Sequence, residues 1–282
     1  MLTINTIATT HTGNIRQNNE DNFYINGTTL APHTASTTTP IDSSTSGLFA
    51  VYDGMGGEAF GEIAASIAAN TLGIHQSQIL DLQHPFADAI ENYTTDANTA
   101  ICNKMSETKG KRIGTTFALL AIKNNTAHIA NIGDSRVYLF RNNQLTQLSK
   151  DHTQVSQMVA MGILSTKQAK VHPARNRLTQ HLGIFPDEMI IEPFIAEPIA
   201  VTEGDKFLLC SDGLTDMVCD EDIERILQED IEPTLTVQNL ITKALENGGR
   251  DNVTIIVAAI SKQKSLLSKI KSLAGGMHHE QI

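Results

Sequence analysis

Short apolar runs separated by turn-forming residues dominate this chain, and two longer stretches repeat apolar residues at helical spacing. The predicted strands are Phe23–Asn26, Leu48–Tyr52, Thr115–Ile122, Thr126–Asn131, Val137–Arg141, Gln144–Leu148, Met189–Ala196, Lys206–Cys210 and Val253–Ile260. Asn124-Asn125 and Asn142-Asn143 each sit between two such runs. Asparagine tolerates positive φ, so both pairs predict tight hairpins. Consecutive hairpins imply antiparallel pairing, not a βαβ alternation. Phe60, Ile63, Ala64, Ile67, Ala68 and Leu72 share one helical face, as do Phe86, Ala89, Ile90, Tyr93, Ala97, Ala100 and Ile101. Both stripes predict core-facing helices. Two helices followed by a meander of strands suggest helix layers packed on antiparallel sheet.

Three segments depart from this pattern. Residues 28–46 are rich in Thr and Ser, with Pro32 and Pro40, and predict an exposed loop. Residues 149–186 are a long insertion with short helical segments at Val155–Met161 and Thr166–Lys170; such insertions often carry function. Residues 261–282 read as a basic tail, with Lys262, Lys264, Lys269 and Lys271 before Gly275-Gly276. Leu266, Leu267, Ile270 and Leu273 fit either a short terminal helix or a surface-binding helix there.

Composition narrows the class. Acidic residues outnumber basic ones by 31 to 21 in 282 residues, a net charge of −10. That sign opposes a nucleic-acid partner held through phosphates. The apolar runs are too short to span a bilayer, and the N-terminus lacks the basic start and apolar run of a signal peptide. Cys102, Cys210 and Cys219 form no CxxC and are odd in number, as expected of reduced thiols in the cytoplasm. Neither HExxH nor a suitable cysteine pair supports zinc.

The chemistry lies in where carboxylates stand. Leu48–Tyr52 ends in Asp53-Gly54, Ala127–Ile132 in Gly133-Asp134, and Phe207–Cys210 in Ser211-Asp212-Gly213. Asp251-Asn252 and Asn19-Glu20-Asp21 directly precede the Val253 and Phe23 strands. One Asp-Gly pair is an ordinary turn. Five acidic clusters at strand ends suggest convergence on one edge, where their repulsion calls for cations. An all-oxygen set favours Mg²⁺ or Mn²⁺, and two ions sharing one bridging aspartate suit in-line displacement at phosphorus. Arg16 is placed to grip phosphate oxygens. Glu20 and Asp21 point to opposite faces of an extended chain, and Asp21 is expected nearer the metals.

The ordered motifs Thr12-Gly13-Asn14-Ile15-Arg16-Gln17-Asn18-Asn19-Glu20-Asp21, Val51-Tyr52-Asp53-Gly54-Met55-Gly56-Gly57 with Gly61-Glu62, Gly114-Thr115-Thr116, Asn131-Ile132-Gly133-Asp134-Ser135-Arg136, Ser149-Lys150-Asp151-His152, Leu209-Cys210-Ser211-Asp212-Gly213-Leu214 and Gly249-Arg250-Asp251-Asn252-Val253-Thr254 resemble the metal-dependent serine/threonine phosphatases of the PPM (protein phosphatase 2C) type in bacterial form. The resemblance covers residues 1–260 as one catalytic domain. It implies an α+β fold: a four-layer α-β-β-α sandwich of two antiparallel sheets flanked by helices. It implies hydrolysis of phosphoserine and phosphothreonine by a metal-bridging water, with serine/threonine protein kinases among the partners. Asp53 would bridge two ions, Mn²⁺ or Mg²⁺. Asp212 and Asp251 would complete the first and the Gly54 carbonyl the second, while Asp21 with Glu20 would hold metal-bound waters. Asp134 with Asp212 matches a third, weaker site. Arg16 would hold the phosphate, and residues 149–186, with His172, Pro173 and Arg175, would form a mobile flap. A monomer is expected.

Animal members carry a histidine after the Asp-Gly pair as proton donor; Met55 stands there here. A metal-bound water is one substitute, and Asp151-His152 reads more simply as a turn into the flap. Two other readings share the fold: a pseudophosphatase or binding module, and a hydrolase of small phosphomonoesters. Gly54–Ala59 also matches GxGxxA, a dinucleotide-binding turn, but no second parallel strand is expected after the helix.

Overall fold

The computed structural model of the chain describes residues 1–56, 60–107, 111–229 and 231–262. The chain begins β1 (Leu2–His11), β2 (Asn22–Ile25), β3 (Thr28–Thr29), β4 (Ser36–Thr38), β5 (Asp42–Ser44), β6 (Gly47–Tyr52) and β7 (Gly54–Met55). Helices α1 (Gly61–Leu80) and α2 (Phe86–Glu107) follow, then β8 (Gly114–Thr115), β9 (Phe117–Lys123), β10 (Thr126–Ile132), β11 (Arg136–Arg141) and β12 (Gln144–Gln147). The remainder is α3 (Gln154–Ala160), α4 (Thr166–Lys170), β13 (Phe194–Ile195), β14 (Ile199–Ala200), β15 (Lys206–Cys210), α5 (Asp212–Thr215), α6 (Asp220–Gln228), α7 (Pro233–Glu246) and β16 (Val253–Lys262).

Two antiparallel sheets result. One runs β12-β11-β15-β16-β1-β4, with β5 also on β1; the other runs β13-β10-β9-β6-β2-β3, with β14 on β10. Three apolar layers explain the stacking. Phe23, Phe49, Val51, Leu120, Phe207, Leu209 and Ile256 pack between the sheets. Their strand neighbours Leu48, Ala50, Tyr52 and Leu119 turn outward onto α1 and α2. Leu208, Cys210, Ile255 and Val257 turn the other way onto α6 and α7. Because both faces of each central strand are buried, these strands read as continuous apolar runs rather than alternating ones. This is the four-layer α-β-β-α sandwich.

Both asparagine pairs adopt positive φ, at 50° and 56° for Asn124-Asn125 and 53° and 60° for Asn142-Asn143, and close the β9–β10 and β11–β12 hairpins. The buried Lys123 at the end of β9 donates from Nζ to the carbonyls of Ile79 and Asp81 at 2.9 and 2.6 Å, capping α1.

Several expectations need correction. Of Met189–Ala196 only Phe194–Ile195 pairs, because Pro193 offers no N–H and interrupts the run. Thr115–Ile122 is split at Thr116, whose main chain turns aside to bond Asp53. Residues 28–46 are not a free loop: β4 and β5 zip onto β1. That strand, α6 and α7 were absent from the sequence expectations. The tail from residue 263 and residues 57–59 of the GxGxxA match lie outside the described residues. The dinucleotide reading fails regardless, since β6 pairs β2 and β9 antiparallel.

Candidate active site

The expected carboxylates do converge. Strands β6, β10 and β15 end, and β2 and β16 begin, at one edge of the sandwich, around a cleft of about 800 Å³. Arg16, Glu20, Asp53, Gly54, Asp134, Asp212 and Asp251 all line it.

Each is held by local bonding. Thr116 accepts the Asp53 N–H on Oγ1 at 3.0 Å, while the Thr116 N–H and Thr115 Oγ1 donate to the Asp53 carbonyl at 3.0 and 2.9 Å. Thr116 Oγ1 also lies 2.6 Å from Ser135 Oγ, tying this clamp to the turn that carries Asp134. Asn252 fastens the Arg16 loop to β16. Its Oδ1 accepts the Glu20 N–H at 2.8 Å, and its Nδ2 donates to the Thr12 and Asn18 carbonyls at 2.8 and 2.9 Å. Gly54 allows close backbone approach: a Cβ there would stand 2.3 Å from the Glu20 carbonyl oxygen and 2.4 Å from that of Gly61. Arg16, half exposed at the rim, pairs through Nη2 with Asp251 Oδ2 at 2.7 Å.

Glu20 and Asp21 face apart, as adjacent residues on an extended chain do. Glu20 lines the cleft; Asp21 is buried behind it and accepts from Ser211 Oγ at 2.7 Å. Asp21 remains within electrostatic reach of Asp53, Asp212 and Asp251.

Burial drives the acidity of this cluster. It pushes Asp53 well above the carboxylate range, and the charges of Asp212, Asp21, Asp134 and Asp251 push it further. Asp134 moves the same way, through burial and then Asp212 and Asp151, against the opposing pull of Arg136. Asp212 rises to about 6 through burial, then Asp216 and Asp251; a hydrogen bond from Asp53 opposes. Asp21 rises to about 7 through burial, against hydrogen bonds from Ser211 and Thr254. Burial also raises Glu20. The cleft thus gathers desolvated carboxyl groups that resist ionising together, with Arg16 and Arg177 the only arginines among its described lining residues.

This donor set fits hard divalent cations, which take carboxylate, carbonyl and water oxygens. Among the described residues no three Asp, Glu, His or Cys side chains close around one point.

Four lining residues were not singled out from the sequence: Asn176, Arg177, Leu178 and His181. All four belong to the 149–186 segment, which arches beside the cleft. Asn176 Nδ2 donates to Asp216 Oδ2 at 2.8 Å, and the Arg136 guanidinium grips Asp151 at 2.6–3.1 Å. His152 serves a turn: its Nδ1 accepts the Gly133 N–H at 3.1 Å.

The profile of the family protein phosphatase 2C matches residues 9–157. The protein phosphatase PhpP of Streptococcus pneumoniae is 34% identical over 213 residues, 75% of this chain and 85% of that protein. The chain belongs to the protein phosphatase 2C family. The serine/threonine protein phosphatase PstP of Mycobacterium tuberculosis is also 34% identical, over 92% of this chain but 45% of that longer protein. The family fold extends across nearly the whole chain. The Streptococcus agalactiae serine/threonine phosphatase superposes with a TM-score of 0.78 at 27% identity, covering 91% of this chain and 99% of that one. The catalytic domain of PstP in complex with two manganese ions gives 0.73 at 30% identity, covering 93% and 100%. Among the described residues no helix is long and apolar enough to cross a membrane.

Proposed function

We propose that this chain is a metal-dependent phosphatase of phosphoserine and phosphothreonine proteins, acting by direct attack of water on phosphorus, and that residues 1–260 form its catalytic domain. The convergence of Asp53, Asp134, Asp212, Asp251, Glu20 and Arg16 on one cleft carries this reading. Asp53 would bridge two ions, with Asp212 and Asp251 on one and the Gly54 carbonyl on the other. Glu20, and Asp21 from behind, would order their waters, and Asp134 with Asp212 would form a third site. When bound, such ions lower the pKa of water enough to make it a nucleophile near neutral pH and offset charge on the phosphoryl group.

The chain's own groups do the rest. Arg16 stands at the rim with a guanidinium that matches phosphate oxygens bidentately. No cysteine or serine is found among the described lining residues, and the hydroxyl of Thr116 is engaged by Asp53 N–H and Ser135. With the lining aspartates assigned to the metals, water is taken as the attacking group. Met55 has no proton to give the leaving oxygen. His152 stays in its turn, as its bond to Gly133 indicates. Three free cysteines fit a cytoplasmic protein, and kinases and their phosphorylated targets are its proposed partners.

The presence of every expected carboxylate weighs against a pseudophosphatase. Phosphate release from a phosphothreonine peptide, a small sugar phosphate and p-nitrophenyl phosphate in Mn²⁺ tests the substrate class. Highest kcat/KM on the peptide is expected. Turnover of the sugar phosphate alone would indicate a small-ester hydrolase, and binding without any turnover a pseudophosphatase.

A further inference from the structure

A second, smaller cavity of about 390 Å³ opens beside the cleft. Its apolar lining comes from Met55, Ile113, Ile184 and Met189. The two spaces share a wall, since Met55, Gly56 and His181 line both. The ring of His181 is fixed in that wall: its Nδ1 lies 2.8 Å from the Leu182 carbonyl oxygen, and its edge packs against Gly114. Bare backbone forms part of the lining. A Cβ on Gly114 would come within 2.6 Å of His181 Nδ1, and one on Gly183 within 2.3 Å of the Ile113 carbonyl oxygen.

Charge decides what such a cavity accepts. Arg112 and Glu188 line it as an ion pair, with Arg112 also over the Phe185 ring at 5.5 Å, so their charges cancel. Met189 is exposed although apolar, and so is its neighbour Ile190. The larger cavity across the cleft, between α3, α4 and the start of α6, is different: it mixes Lys150, Lys170 and Arg175 with Asp151, Asp216 and Asp220. Of these two, the smaller offers a mainly apolar recess, its two lining charges paired with each other, next to the proposed phosphate-binding end.

We propose that this recess is a specificity subsite that takes a bulky apolar side chain of the phosphoprotein, within three residues of the phosphorylated serine or threonine. The inference rests on the phosphatase reading and extends it to sequence preference. Continuity across Met55 and His181 lets one extended segment occupy both spaces. At about 3.3 Å per residue, three residues reach roughly 10 Å. The recess has room for leucine, methionine or phenylalanine, whereas an acidic residue would lose its water and meet, among the described lining residues, only an arginine already paired with Glu188.

The test uses phosphothreonine peptides carrying leucine or aspartate at each of the three positions on either side, with p-nitrophenyl phosphate as control, in Mn²⁺. Leucine at one position is expected to raise kcat/KM roughly 10- to 100-fold over aspartate, mainly through KM. Met189→Asp, at an exposed position, should abolish that preference and leave p-nitrophenyl phosphate turnover unchanged within about twofold. Ile184→Ala should weaken it less. Turnover of all peptides without a leucine preference, or a preference that survives Met189→Asp, would overturn the subsite alone. No turnover of peptides or of p-nitrophenyl phosphate would overturn the subsite and the phosphatase reading together.

Discussion

Replacing Asp212 by asparagine should make the metal-free protein more stable while disabling it. Asp212 is buried among Asp216, Asp251 and Asp53, and its carboxyl is raised from 3.8 to about 6. A carboxyl whose folded pKa is raised favours the folded state at low pH. Its contribution falls as pH rises from the unfolded value near 4 to the folded value near 6, and above that the penalty is complete. Two units at about 1.4 kcal/mol each give a penalty of about 3 kcal/mol in the ionised form. The hydrogen bond from Asp53 returns part of this on mutation, because an amide oxygen accepts less strongly than a carboxylate. A net gain of about 1–3 kcal/mol is expected at pH 8 in EDTA, or roughly 3–10 °C in Tm. The gain should shrink to near zero at pH 4. In Mn²⁺ the order should reverse, since only the wild type gains fully from binding. Thermal unfolding at pH 4 and pH 8, with EDTA and with Mn²⁺, reads all four values. An asparagine variant less stable than wild type in EDTA at pH 8, or an equal gain at both pH values, would refute the reasoning.

Two further substitutions probe separate parts of the cleft. Arg16→Ala should lower kcat/KM on a phosphothreonine peptide roughly 100-fold, with Arg16→Lys intermediate, because a lysine keeps the charge without the fork; steady-state kinetics decide. Gly54→Ala would press a methyl group against the Glu20 and Gly61 carbonyls, and urea unfolding should show a loss of about 2 kcal/mol or more.

The legible parts of this protein were those where local pattern and packing agree. The Asn-Asn hairpins, the α1 and α2 stripes and the strand-end carboxylates follow from rules acting within a few residues. Strand β1 escaped because its Thr and Asn content weakens the apolar signal; its burial comes from β16 and from β4 and β5, contacts distant in sequence. The apolar spacing of Ile223, Ile226 and Leu227, and of Val237, Leu240, Ile241 and Ala244, could have located α6 and α7. Pro193 could have cut the 189–196 strand short. At the site, the convergence of the carboxylates on one cleft was legible and their depth was not. Adjacent Glu20 and Asp21 must face apart, but only the placement of Ser211 decides that Asp21 goes inward. His181 gave no sequence signal, since it reaches the cleft through the bridge between Thr115 and Leu182.

The most direct test is phosphate release from a phosphothreonine peptide as Mn²⁺ is titrated into metal-free protein, beside Asp53→Asn. Activity absent in EDTA, rising with Mn²⁺ and lost in the folded Asp53→Asn protein is the expected result. Undiminished turnover in EDTA, or full activity in Asp53→Asn, would contradict a metal site built on the converging carboxylates.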